Sequence, residues 1–387
     1  MNSIQKYFRR KIENRLVLKS LRDVHKNASF QGNVTEHNFK QGNSGNCCMI
    51  AAMASLATND QIYNKVVEQS DSKSKTLEEI DAAITNKNCT KIVFNLYKSG
   101  KLYRVEVNDN LWCFFNKLYY SRSSNNNFFG SLLEKALVEL HFDGKYKSAE
   151  GCNELVMLSS LTNALFEKLV FNRNFLIYEN HDIILHGVKT KSLMVVSFKK
   201  TGRKFNLRPR HAYLLVDMNK DIVKLYNPHG KIMEVPKQTF FGHVATVGIS
   251  YFDNKVFGMP GEIKLSDTIE SWRQDEDPQT SLYICHNLTV VEDDTWWLVN
   301  LLCSQNLMIE FNALIYGRDG FSTADLGCQL KFYVEGNDSI RLRCKRGRYV
   351  LVYILRNNDY NAPHYNDILQ CPDAEKHKVF IRYASNK

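Results

Sequence analysis

The chain has no Cys-x-x-Cys pair and no tight cysteine framework, although ten cysteines are spread over its 387 residues. That spacing excludes a zinc ribbon and a disulfide-stapled scaffold, and it reads as a set of reduced thiols. Long apolar runs are missing too: none approaches the roughly 18 residues that a membrane-spanning helix needs. The start, "MNSIQKYFRRKIENRLVLKSLRD", alternates charge with hydrophobe where a secretory leader would show a charged block and then an apolar one, so a cytoplasmic, unsecreted protein is expected. There is no internal repeat and no low-complexity tract. An RNP1 pattern, zinc-finger spacing and a heptad-linked basic region are also lacking, so nucleic acid is not an expected partner despite a formal charge of +10.

What is present is ordinary globular chemistry, 44% hydrophobic and 24% charged, with enough chain for two or three packed cores. Up to about residue 170 helical patterns dominate. "TLEEIDAAITNKN" opens with a Thr76 cap and Glu79 three residues on, and "NFFGSLLEKALVEL" sets Phe129, Leu132, Leu133, Ala136, Leu137 and Leu140 at the spacing of a buried helical face. Short β-type runs follow: "SLMVVSF", "HAYLLVDM", "DIVKLYNP" and "TVGISYF". Residues 256–271 read as a linker. Beyond them "CQLKFYVEG", "GRYVLVYIL" and "HKVFIRYAS" alternate with period two, the pattern of a β-sandwich. Two basic clusters, "KKTGRKFNLRPRH" and "RLRCKRGR", fit solvated loops or contacts with acidic partners.

One stretch carries chemistry. In "QGNSGNCCMIAAMASLA", Ser44 or Asn46 caps a helix whose first turn holds Cys47 and whose body is rich in small apolar residues. A thiol at a helix N-terminus meets the positive end of the macrodipole and free backbone N–H groups, which favour thiolate. It still needs a base, an orienting group and donors for an oxyanion. His211 starts the apolar strand "HAYLLVDM", and Asn227 follows at a turn 16 residues later. An Asn side-chain oxygen can hold an imidazole by one nitrogen so that the other faces a thiol. By spacing alone the signal is weak, since a lone histidine on an apolar strand is more often a satisfied structural residue.

The same residues carry a resemblance. "QGNSGNCC" with its small-residue helix is similar to the cysteine signature of the calpain family of papain-like proteases, Gln-Gly-x-x-Gly-Asp-Cys-Trp. "FFGSLLEKALVEL", "HAYLLVDM" and "NPHG" follow in the family's order, and "RGRYVLVYILRN" with "HKVFIRYAS" resembles its C2-like domain. The resemblance implies an α+β chain: a papain-like two-lobed core with a helical Cys lobe (41–170) and a β-rich His/Asn lobe (171–255), preceded by a leading segment (1–40) and followed by the linker and an all-β C2-like sandwich (272–387). It implies an endopeptidase with Cys47 as nucleophile, His211 as base and later acid, Asn227 as orienter, and Gln41 as oxyanion donor beside the Cys47 N–H. The runner-up is an inactive scaffold that binds acidic proteins or anionic lipid.

The chain departs from the family at several positions. Cys48 and His229 stand where the family has Trp, and Asn46 stands where it has Asp; Cys48 is expected to be packing. The family's calcium sites look degraded. Asn38 replaces an acidic residue three before Gln41, Lys147 replaces one after Tyr146, the acidic loop after Asn227 is missing, and no EF-hand loop occurs. No cofactor is therefore expected, and the two lobes are expected to dock without metal. Protein substrates with acidic segments are expected to meet the basic run (Lys199, Lys200, Arg203, Lys204, Arg208, Arg210), anionic lipid to meet "RLRCKRGR" on the C2-like domain, and the chain to be a monomer.

Overall fold

The computed structural model describes residues 11–25, 29–30, 35–68, 92–98, 101–123, 126–171, 177–199 and 207–251, together with the backbone of seven strands between residues 261 and 385. The chain divides into two compact units, one of residues 1–164 and 169–252 and the other of residues 165–168 and 253–387. The helix expected over "TLEEIDAAITNKN" lies outside the described residues, as do Lys200, Arg203 and Lys204.

The first lobe mixes helix and sheet. β1 (Val17–Ser20) pairs antiparallel with β4 (Asn110–Phe114), which pairs with β5 (Lys117–Leu118), while β2 (Ile92–Lys98) and β3 (Lys101–Val107) form a separate hairpin. A purely helical reading of this lobe misses these strands, although β2 and β3 are seven residues each and Lys98 pairs with Lys101 at their turn. Their alternation is nevertheless in the sequence, since Ile92, Phe94 and Leu96 of β2 are buried. The helices of eight residues or more are α1 (Cys47–Ala54), α2 (Asp60–Glu68), α3 (Phe129–Phe142) and α4 (Glu154–Thr162). Five of the six apolar positions expected on α3 are buried, and Leu140 is partly so.

α1 is the hub. Every residue from Cys48 to Ala54 is buried, so beyond the partly exposed Cys47 this helix has no solvent face. It packs on α4 and α3 from its own lobe and on two strands of the second, and its alanines allow that close approach from several sides.

The second lobe is a six-stranded sheet built from β6 (Leu165–Val170), β7 (Leu193–Phe198), β8 (Ala212–Met218), β9 (Ile222–Asn227), β10 (Lys231–Pro236) and β11 (Val244–Tyr251), in the order β10-β9-β8-β7-β11-β6. α5 (Ile177–Lys189) and α6 (Lys237–His243) lie between its strands in sequence. Consecutive β7, β8, β9 and β10 pair antiparallel as a meander. Leu214 stands opposite Tyr226, so one further step sets Tyr213 across from Asn227 and leaves His211 diagonal to Asn227 on the same side.

The second unit's described strands are β12 (Gly261–Lys264), β13 (Ser281–Val290), β14 (Thr295–Gly317), β15 (Gly320–Ser322), β16 (Gln329–Cys344), β17 (Gly347–Arg356) and β18 (Phe380–Ser385). They pair antiparallel in the order β12-β18-β14-β17-β13, with β15 and β16 also on β14. β12 falls inside the stretch read as a linker and pairs with β18; the rest of that stretch lies outside the described residues.

Candidate active site

The approach to Cys47 is fixed by close packing. A Cβ on Gly42 would sit 1.8 Å from the Tyr120 carbonyl oxygen, so no other residue fits there, and the Asn43 N–H bonds the Tyr119 oxygen at 2.9 Å. The expected side-chain cap on α1 is not formed. Asn46 occupies the cap position, but its Nδ2 donates to Glu134 Oε1 at 2.7 Å, while Glu134 Oε2 accepts the Ser121 N–H at 2.9 Å. The Ser44 hydroxyl is buried without a partner, as is Asn46 Oδ1. Burial pushes the Glu134 carboxyl up to about 7, against the pull of the Ser121 and Asn46 donors. Sequence reasoning passed over this residue. Its signal was a glutamate set directly after Leu132 and Leu133 in the apolar part of "GSLLEKALVEL".

Cys47 Sγ accepts the Ala212 N–H at 3.4 Å, which puts the thiol against the first residue of β8, directly after His211. A helix N-terminus alone would favour thiolate. Here burial outweighs it and raises the thiol's pKa, helped by neighbouring Cys48, while the backbone N–H groups of Ala212, Cys48 and Cys47 pull the other way. Cys48 points elsewhere: its buried thiol donates to the Cys152 carbonyl at 2.6 Å.

On the other side, the chain turns into His211 through Arg210, whose φ of 55° is left-handed. His211 Nε2 lies 2.9 Å from Asn227 Oδ1, and the His229 N–H reaches the same oxygen at 3.0 Å. An atom that accepts from a backbone N–H is the amide oxygen, so Nε2 carries the proton and Nδ1 is left with its lone pair. The ring is walled by the edge of Tyr213 (centroids 4.8 Å, 86°) and by the parallel face of His229 (5.0 Å, 8°). His229 thus covers the bond that the family's Trp would shield. Burial lowers the His211 pKa to about 4; the Asn227 bond opposes this, and His229 and Arg208 add to it. Burial thus favours the neutral form of both the imidazole and the thiol. Among the described residues no hydrogen bond joins them directly, and such bonds commonly tighten only when substrate is bound.

The halves are tied by protein groups. The Gln41 N–H donates to the Pro228 oxygen at 2.7 Å and the Tyr226 hydroxyl to the Phe39 oxygen at 3.2 Å. Gln41 Nε2 donates one hydrogen to the Ser44 oxygen at 2.6 Å, which fixes the amide's orientation and leaves its second hydrogen free.

The positions of the family's calcium ligands have other chemistry here. Asn38 is buried, with Oδ1 taken by the Thr35 N–H at 2.7 Å and Nδ2 3.4 Å from the Ser123 hydroxyl. Lys147 presents an exposed cation. β9 passes into β10 through residues 228–230 alone, with Asn227 and Lys231 paired across the turn. Among the described residues no three His, Cys, Asp or Glu side chains gather as a metal site.

A thiol on a buried helix, set beside a strand that carries a histidine locked to an asparagine, defines a papain-like thiol protease core. A profile described as "Calpain family cysteine protease" matches residues 2–235, and the chain belongs to that family. It is 25% identical to rat Calpain-5 over a match covering 52% of this chain and 35% of that protein. It is 30% identical to Calpain clp-4 of Caenorhabditis elegans over 33% of this chain and 16% of that one, and 23% identical to human Calpain-9 over 54% and 31%. The matches span about a third or less of these relatives' lengths.

Proposed function

We propose that the chain is a cysteine endopeptidase that works without calcium. The observation that carries this reading is the Nε2 contact of His211 with Asn227 at 2.9 Å, together with the Cys47 thiol held at the next residue's N–H. As sulfur attacks the scissile carbonyl, His211 Nδ1 takes the thiol proton, so the ion pair forms during reaction from two neutral groups. The oxyanion meets the free Gln41 Nε2–H and the Cys47 backbone N–H. Collapse expels the amine, which receives the proton from the imidazolium, and leaves a thioester; water activated by the same ring then hydrolyses it.

Calcium independence is supported by the spent polar groups of Asn38, the cation at Lys147 and the short β9–β10 turn, none of which suits a hard cation that needs several oxygen ligands. The bonds between Gln41 and Pro228 and between Tyr226 and Phe39 hold the halves together in its place. Peptide cleavage by the purified protein in excess chelator, abolished by Cys47→Ala, is the expected result; cleavage only after millimolar calcium is added would overturn it.

The second unit is a C2-like sandwich that meets anionic lipid through the cluster at residues 341–348. Supporting the sandwich, β14 changes partner along its length, pairing with β18 over residues 297–302 and with β17 over 308–315, with a register shift between, as a strand does in passing from one sheet to another. Co-sedimentation with anionic but not neutral liposomes tests the lipid contact. A non-catalytic scaffold is the second reading, favoured by the missing direct bond between His211 and Cys47.

A further inference from the structure

A cavity of about 450 Å³ opens on the Asn227 and His229 side of the imidazole, lined besides by residues 207–209 and 231–233. Among the described residues no carboxylate lines it, whereas Arg208 and Lys231 do. Arg208 Nη1 lies 3.3 Å from His229 Nε2, and among the described residues neither Arg208 nor Lys231 forms an ion pair with an acid. A further cation stands nearby: the Lys40 side chain runs over Gly230, where an added Cβ would be 3.2 Å from its Cε. These groups repel one another, and an anion placed among them relieves that repulsion. The remaining wall is apolar, from Leu207, Met233 and Ile232, the last 47% exposed. Such a wall suits a short methylene stem.

The cavity's place relative to the chemistry assigns its occupant. In the proposed reaction the leaving amine takes its proton from His211 Nδ1, so the peptide on the C-terminal side of the cut bond lies on the His211 side of the cleft, and Asn227 and His229, which bound that ring, also line the cavity. We propose that this cavity takes a glutamate-like carboxylate from the first or second residue after the scissile bond, making the protein selective for acidic leaving segments. The assignment rests on the endopeptidase reading for which bond is cut, while the cavity's preference for an anion stands on its own lining.

The test uses fluorescent Ala-rich hexapeptides that carry Glu, Gln or Lys at one position, bound to the full chain with Cys47→Ala and followed by anisotropy. The Glu peptides should bind about fivefold to tenfold more tightly than the Gln peptides, and the Lys peptides most weakly. The Glu preference should shrink to within about twofold in roughly 1 M salt, where charges are screened, and in Lys231→Glu. Equal binding of Glu and Gln peptides, or a Glu preference that survives both salt and Arg208→Gln combined with Lys231→Gln, would overturn the proposal. The salt series needs no substitution at the cavity. The unsubstituted chain is then given the same peptides: no cleavage of any of them sinks the endopeptidase reading without touching the binding result, while cleavage that places Glu on the acyl side of the cut overturns the assignment.

Discussion

The two halves of the site are held by different physics. On the cysteine side α1 is buried all round, Gly42 has no room for a methyl group, and polar groups are sequestered with Glu134. On the histidine side the ring is set by a strand register, one asparagine oxygen and a stacked neighbour, and it borders an exposed cationic rim. The first half should tolerate almost no change of shape. The second should tolerate changes of shape while answering to changes of charge.

The largest expected effect breaks the contrast at its chemical centre. Cys47→Ala and His211→Ala should each lower kcat on a peptide substrate by about 10³-fold or more, whereas Gln41→Ala should lower it by about 10²-fold to 10³-fold, with KM nearly unchanged. Next comes packing. Ile50→Ala, in the buried α1, should cost about 2–5 kcal/mol in denaturant unfolding. On the other side Arg210→Gly should be neutral or stabilising by up to about 1 kcal/mol, since it frees a left-handed residue. Equal losses at the two positions would erase the distinction between the halves.

Titration sharpens it. The Glu134 pKa rises in the folded state from 4.5 to about 7, so between those values the folded chain keeps a proton that the unfolded chain has lost. Stability from this group is therefore full below about pH 4.5 and falls, by up to roughly 3 kcal/mol, as pH rises through 7. Glu134→Gln should flatten that slope in melts recorded from pH 5 to 8, with the Asn46 amide turned so that its orphan oxygen accepts from the new side chain. The smallest effect belongs to the rim. Arg208 helps hold His211 down, so Arg208→Glu should move the acid limb of kcat/KM upward from about pH 4, by less than one unit at this exposed position.

The cysteine side was the more legible in sequence, because a glycine-bounded loop running into small apolar residues is a local pattern. The apolar face of α3 was legible for the same reason. The partnership of His211 with Asn227 depends on strand register, which spacing only permits, and the resemblance to the calpain family supplied what spacing could not. Three features were out of reach. Capping of α1 looked available from Ser44 or Asn46, but a buried carboxylate 88 residues away from Asn46 competes for its amide. The thiol's ionisation followed burial more than the helix terminus. The pairing of β1 with β4 joins residues as far apart in sequence as Val17 and Cys113, unlike the local hairpins β2–β3 and β4–β5, whose alternation was open to reading.

The most direct measurement is the rate at which an epoxide-type thiol inhibitor labels the protein in excess chelator, with the labelled cysteine mapped by mass spectrometry in the unsubstituted chain, Cys47→Ala and His211→Ala. Rapid labelling confined to Cys47, and slowed at least about 100-fold by His211→Ala, is the expected result. Labelling spread over other cysteines, or unchanged when His211 is replaced, would contradict a thiol activated by that histidine.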